Sequence, residues 1–138
     1  MKPELPVNMK NRLRILIEKS YYIDERYSLH STFTLLYHEQ PLSVTELGSF
    51  VRKSDHFLQV DEHHYFINFL YITHEQAFKS AQNLIESLDG YFKNQTSAIA
   101  IDTFDPIKTP TGVYNRLFDI LNIIKEDPYN RIEDETVF

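Results

Sequence analysis

Apolar side chains recur at Met9, Leu13, Leu16, Ile17 and Tyr21, the spacing of one face of a helix, while Arg12, Arg14, Glu18 and Lys19 cover the other side. This predicts a helix over residues 8–27, after a loose lead-in that holds two prolines. From 31 to 38 the period changes to two. Phe33, Leu35 and Tyr37 alternate with Thr32, Thr34 and Leu36, a pattern and composition suited to a strand, and Pro41 stops it. Ser43-Val44-Thr45-Glu46 has the form of a capping box, and Val44, Leu47 and Val51 mark the inner face of a short helix ending near Lys53.

Two strands follow, over 56–60 and 65–72, around a polar turn at 61–64. The second is apolar on both faces, with Tyr65, Ile67, Phe69 and Tyr71 on one side and Phe66, Leu70 and Ile72 on the other. Only Asn68 interrupts it. Such a strand belongs in the middle of a sheet. Thr73-His74-Glu75-Gln76 is a second capping box. It opens a helix with Ala77, Ala81, Leu84, Ile85 and Leu88 inward, and Gly90 is suited to the position just past its end. A short strand over 97–102 precedes a loop punctuated by Pro106 and Pro110. Thr111 is placed to cap a last helix carrying Val113, Leu117, Ile120, Leu121 and Ile124.

The order is helix, then strand–helix–strand–strand–helix–strand, then helix. This predicts an α+β fold with a ferredoxin-like βαββαβ core, a four-stranded antiparallel sheet and added N- and C-terminal helices. One domain over 1–125 is expected, followed by an acidic, mobile tail over 126–138.

Composition narrows the function classes. The net charge of −6 leaves no basic surface for a phosphate backbone, so nucleic acid is not expected as a partner. The aromatic strand at 65–71 is therefore read as core rather than as an RNA-stacking platform. The absence of Cys removes disulfides, thiolate metal sites and Cys nucleophiles. No apolar run is long enough to cross a bilayer, and no signal core follows Met1-Lys2-Pro3-Glu4. A cytoplasmic protein is expected. No Ser-His-Asp pattern, nucleophile elbow or Gly-rich phosphate loop occurs. His63 and His64, with His38, Asp61 and Glu62, suggest a transition-metal site at first sight. Neighbouring strand residues point to opposite faces, however, so a solvated hairpin tip is the expected state. His56 and His74 read as surface or capping residues. Tyr21, Tyr22, Tyr27 and Tyr37 exceed the aromatic need of a small sheet and suggest a homodimer or another protein partner.

The remaining motif is Arg52-Lys53-Ser54-Asp55, five residues ahead of Asp61-Glu62-His63-His64-Tyr65. The Arg-x-x-Asp pair, the strand and the turn ending in an aromatic resemble the hairpin region of GGDEF domains, the diguanylate cyclase family. Asn11-Arg12 is similar to the pair that opens the family's first helix. The resemblance is best from Arg52 to about Lys125 and implies the same ferredoxin-like core. It also implies lost catalysis. The family's turn glycines, which let backbone approach nucleotide phosphates, are here Asp61 and Glu62. Its metal-holding carboxylates, at the end of the first strand and at the third turn position, face Leu36-Tyr37-His38-Glu39 and His63 here. Hard Mg²⁺ prefers oxygen ligands. Only twelve residues lie between Glu39 and Arg52, too few for the family's guanine-binding helix and loop.

The expectation is a non-catalytic, degenerate GGDEF-like module of bacterial signalling, with no catalytic residues, no metal site and no cofactor. Arg52 and Asp55 match the pair with which many GGDEF domains bind cyclic di-GMP as an inhibitor, so a cyclic di-GMP receptor is one alternative. A residual nucleotide-handling enzyme is another. The residues themselves also allow a plainer role, in which Asp55 bonds local backbone and Arg52 pairs with it on the surface.

Overall fold

The computed structural model describes residues 5–27, 31–70, 72–103, 105, 109, 112–126 and 130–137. The expectations at residues 1–4, Tyr71, Pro106, Pro110 and Thr111 lie outside these. Four helices and five strands follow one another: α1 (Val7–Tyr27), β1 (Ser31–Tyr37), α2 (Val44–Gly48), β2 (His56–Gln59), β3 (His64–Leu70), α3 (His74–Phe92), β4 (Ala98–Thr103), α4 (Val113–Glu126) and β5 (Ile132–Asp134). A 3₁₀ turn, Glu135–Val137, ends the described chain.

The sheet order is β2-β3-β1-β4-β5. β1 pairs antiparallel with β3 and β4, and β2 pairs antiparallel with β3, giving the expected split βαβ core. The doubly apolar β3 lies inside the sheet, with six of its seven residues buried. Period-two alternation then sorts side chains between two layers. Phe33, Leu35 and Phe66 meet Leu13, Ile17 and Tyr21 of α1 and Leu117, Ile120 and Leu121 of α4. Leu36, Tyr65, Ile67 and Phe69 meet Leu47 of α2 and Ala77, Leu84 and Leu88 of α3. Each large side chain fully buried in these layers contributes roughly 1.5–3 kcal/mol.

Three expectations need correction. The sheet has five strands, because residues 132–134 lie parallel to β4 with Ile99 opposite Ile132 and Ile101 opposite Asp134. The segment read as a mobile acidic tail thus adds an edge strand. Its charges found local partners, among them Arg131, whose guanidinium grips the Asp89 carboxylate at 2.8 Å through both terminal nitrogens. Second, Gly90 lies within α3 rather than beyond it. The helix runs one more turn because Phe92 packs against the core, and Lys93 takes the left-handed cap at φ 57°. Third, α2 stops at Gly48, not near Lys53. Ser49 caps it by donating to the Glu46 carbonyl, and the next residues turn toward β2.

Both capping boxes form as read. Ser43 and Glu46 exchange side-chain and backbone hydrogen bonds at 3.0 and 3.1 Å, and Thr73 and Gln76 do so at 3.2 and 3.0 Å. Among the described residues, no helix is long and apolar enough to cross a membrane.

Candidate functional site

β2 and β3 present the turn at one end of the sheet, beside the end of β1. Asp61 organises it. Its Oδ1 accepts from the backbone N–H groups of His63 and His64, each at 2.8 Å, and its two oxygens lie 2.9 and 3.0 Å from His64 Nδ1. Burial alone would raise the Asp61 pKa, but these donors outweigh it and hold the carboxyl below the ordinary range. The tip is not merely solvated. His64 folds under the turn, 9% exposed, with its ring 5.6 Å from Phe118 and 5.4 Å from Tyr37. The physical cause is the strand register: His64 pairs with Tyr37 and shares the inner face with Phe66. His63 diverges from it, and its Nδ1 lies 3.2 Å from the His38 carbonyl. The two imidazoles do not converge on one point.

His38, at the end of β1, is fully buried. Its Nδ1 lies 2.6 Å from Ser97 Oγ, and its ring packs at a tilt against Phe92, with ring centres 4.5 Å apart. Tyr65 is also fully buried, and its hydroxyl binds both the N–H and the carbonyl of Leu42, at 2.6 and 2.8 Å. The pole is therefore knitted from imidazoles, a hydroxyl and one internally bonded carboxylate. Two further carboxylates, Glu39 and Glu62, are exposed beside it.

Burial lowers the pKa of both His38 and His64, although Asp61 counteracts this at His64. Their Nε2 atoms are buried without a hydrogen-bond partner among the described residues. The native state thus favours neutral rings, while the unfolded chain takes up protons near pH 6.5. Stability is therefore full above that pH and falls as pH drops through it toward the lower native pKa values. A series of urea midpoints from pH 7.5 to 5 is expected to decline, and the His38→Asn/His64→Asn double variant to flatten that decline. A slope unchanged in the double variant would refute the assignment.

The Arg-x-x-Asp pair lies at the opposite end of β2 and β3, and there the structure brings its members together. Arg52 Nη2 donates to Asp55 Oδ1 at 2.6 Å, and Nε reaches both carboxylate oxygens at 3.1 Å. The Asp55 carboxylate also accepts from the backbone N–H of Arg52 at 3.2 Å and of Leu70 at 3.3 Å, while Arg52 Nη2 donates to the Leu70 carbonyl at 2.8 Å. Asp55 has 1% of its side chain exposed and Arg52 46%. Arg52 also lines a shallow cleft of about 350 Å³ with Gln76, Lys79 and Asn83 of α3.

Of the four tyrosines suggested as contact surface, Tyr21 is core, stacked on Phe33 at 5.7 Å, because it continues the inward stripe of α1. Tyr37 is half-buried under Lys125, whose Nζ lies 4.2 Å from its ring centre. Tyr22 and Tyr27 are exposed, with Arg26 beside both rings. Two polar features escaped the sequence reading: the buried Asp102–Arg116 pair between β4 and α4, and the contact of His74 with Asp134. Neither partner of either pair stands near the other in sequence, so no local pattern announced them.

The strand order, the hairpin and the helices packed on both faces define a GGDEF-type architecture. No protein-family model and no curated protein matches the chain. Among solved structures it is similar to the GGDEF domain of DgcB from Caulobacter crescentus in complex with c-di-GMP. That match has a TM-score of 0.73 at 9% identity and covers 92% of this chain and 90% of that one. It is also similar to the diguanylate cyclase SiaD from Pseudomonas aeruginosa in complex with its activator SiaC, with a TM-score of 0.72 at 9% identity. There the match covers 91% of this chain and only 57% of that one. The shared property is the fold.

Proposed function

We propose that this chain is a non-catalytic GGDEF-fold module of bacterial signalling that acts through protein contacts and does not cyclise GTP. The observation that carries this reading is the Asp61 carboxylate, whose oxygens are taken up by the turn's own N–H groups and by His64. A turn bonded in this way offers a triphosphate negative charge and side-chain bulk where a phosphate cradle needs open backbone donors. The end of β1 adds a buried imidazole rather than a second carboxylate. The exposed apolar side chains of α1, including Ile15, Tyr22, Ile23 and Tyr27, give a partner or a second copy a surface to dock on.

A second reading, a receptor for cyclic di-GMP at Arg52 and Asp55, is favoured by one observation. Arg52 borders a cleft that also holds Lys79 and amide side chains, a setting that suits a phosphate or a guanine edge. One experiment separates the readings. The protein is incubated with GTP and Mg²⁺ or Mn²⁺, and separately titrated calorimetrically with cyclic di-GMP. No product and no heat is the expected result. Turnover of GTP would overturn the proposal. Heat that disappears in Arg52→Ala would favour the receptor.

A further inference from the structure

The His74 contact lies at the far end of β3 from the turn, the end that also carries the Arg52 cleft, but none of its three side chains lines that cleft. His74 is the first residue of α3, and its Nε2 lies 2.6 Å from Asp134 Oδ2 on β5. One donor atom each from His74, Asp134 and Glu135 falls within 4.8 Å of the others. His74 stands on α3, while Asp134 ends β5 and Glu135 opens the 3₁₀ turn that follows it, so tertiary packing alone brings them together. We propose that His74, Asp134 and Glu135 form a binding site for a borderline transition-metal ion such as Zn²⁺, which would clamp the C-terminal strand to α3.

Three features carry the inference. The donor set is one imidazole nitrogen and two carboxylates, which suits zinc and its neighbours better than magnesium or calcium. Asp134 is oriented in advance. Its Oδ1 accepts from the backbone N–H of Thr136 at 3.0 Å and from the Thr136 hydroxyl at 2.5 Å, which leaves Oδ2 directed at His74. Outer hydrogen bonds of this kind fix the aim of a ligating carboxylate. Zinc bonds of about 2.0–2.2 Å place tetrahedral donors some 3.3 Å apart, so the His74–Asp134 separation needs to open by less than ~1 Å and a separation at the 4.8 Å limit to close by about 1.5 Å, within the reach of a side-chain rotation. The side chain of His74 is 41% exposed, which leaves a path for the ion and a position for a water ligand.

The site has a structural consequence for this fold. β5 is three residues long and is held by one neighbour, β4, so it is among the least secured parts of the sheet. A metal bridging Asp134 and Glu135 to the start of α3 would cross-link it to the domain.

The test uses the full chain stripped with a chelator. Calorimetric titration with ZnCl₂ is expected to give one site per chain, and Co²⁺ in its place to give the visible absorption of a four-coordinate site. Amide exchange at residues 132–134 is expected to slow when the metal is added. His74→Gln, which keeps a polar group at the helix start, and Asp134→Asn are each expected to weaken binding on the order of 100-fold or more. His63→Ala, at the other end of the sheet, should leave it unchanged. Absence of a one-to-one site, or equal affinity in His74→Gln and the parent chain, would overturn the proposal. The His74–Asp134 contact would then be a polar contact within the protein only.

Discussion

Replacing Arg116 with Met is expected to lower folding stability by about 3–5 kcal/mol, the usual cost of stripping a buried carboxylate of its guanidinium. Asp102 is fully buried on the face of β4 that meets α1 and α4, and both Nε and Nη2 of Arg116 donate to its Oδ2, at 3.1 and 2.9 Å. Gly112 leaves room for this arrangement, since a Cβ there would lie 2.7 Å from Arg116 Nη1. The Tyr21 hydroxyl reports the same cluster. Burial, and then the Asp102 charge, push its pKa to about 12, while Arg116 pulls it down. Arg116→Met removes that restraint. The measurement is the urea midpoint at constant m-value, which separates lost stability from a change in the denatured state. The double variant Asp102→Leu/Arg116→Met should recover most of the loss, because two apolar groups need no mutual compensation. A loss below about 1 kcal/mol in Arg116→Met would show that Asp102 does not depend on the guanidinium for its compensation.

The elements that local periodicity defines were legible in the sequence. The stripe of α1, both capping boxes and the doubly apolar β3 all depend on neighbours within a few residues, and each formed as its pattern implied. What the pattern missed depends on contacts distant in the chain. β5 carries too few apolar residues to register as a strand, and its place is set by pairing with β4 and by Arg131 bonding to Asp89 and to the Ser97 carbonyl. Gly90 invited a helix end, but the anchorage of Phe92 outweighed it. The same division runs through the candidate site. The position of the turn and the spacing from Arg52 could be read residue by residue. That His64 tucks against Phe118 could not, because α4 begins 49 residues later in the chain. The His74–Asp134 contact was hidden for the same reason, and reading residues 126–138 as a free tail concealed it further.

Asp55→Ala is expected to cost about 2–4 kcal/mol, and Arg52→Ala distinctly less. The asymmetry follows from what each change leaves behind. Asp55 is almost wholly buried, and its carboxylate accepts from the backbone N–H groups of both Arg52 and Leu70. Removing it leaves two backbone donors without that acceptor at the junction where the chain enters β2 and β3 ends. Removing the Arg52 side chain leaves those donors served. It deletes a guanidinium that is nearly half exposed, so water can take its place beside a carboxylate that keeps both backbone donors, whereas Arg116, only a quarter exposed, covers Asp102 more completely. Urea denaturation of the two variants measures this directly, and equal losses, or a larger one in Arg52→Ala, would refute the structural role of Asp55. The ordering also governs how ligand experiments are read. If Asp55→Ala loosens the start of β2, failure of that variant to bind cyclic di-GMP says nothing about recognition. Arg52→Ala, which should retain the fold, is then the variant in which a loss of binding has meaning.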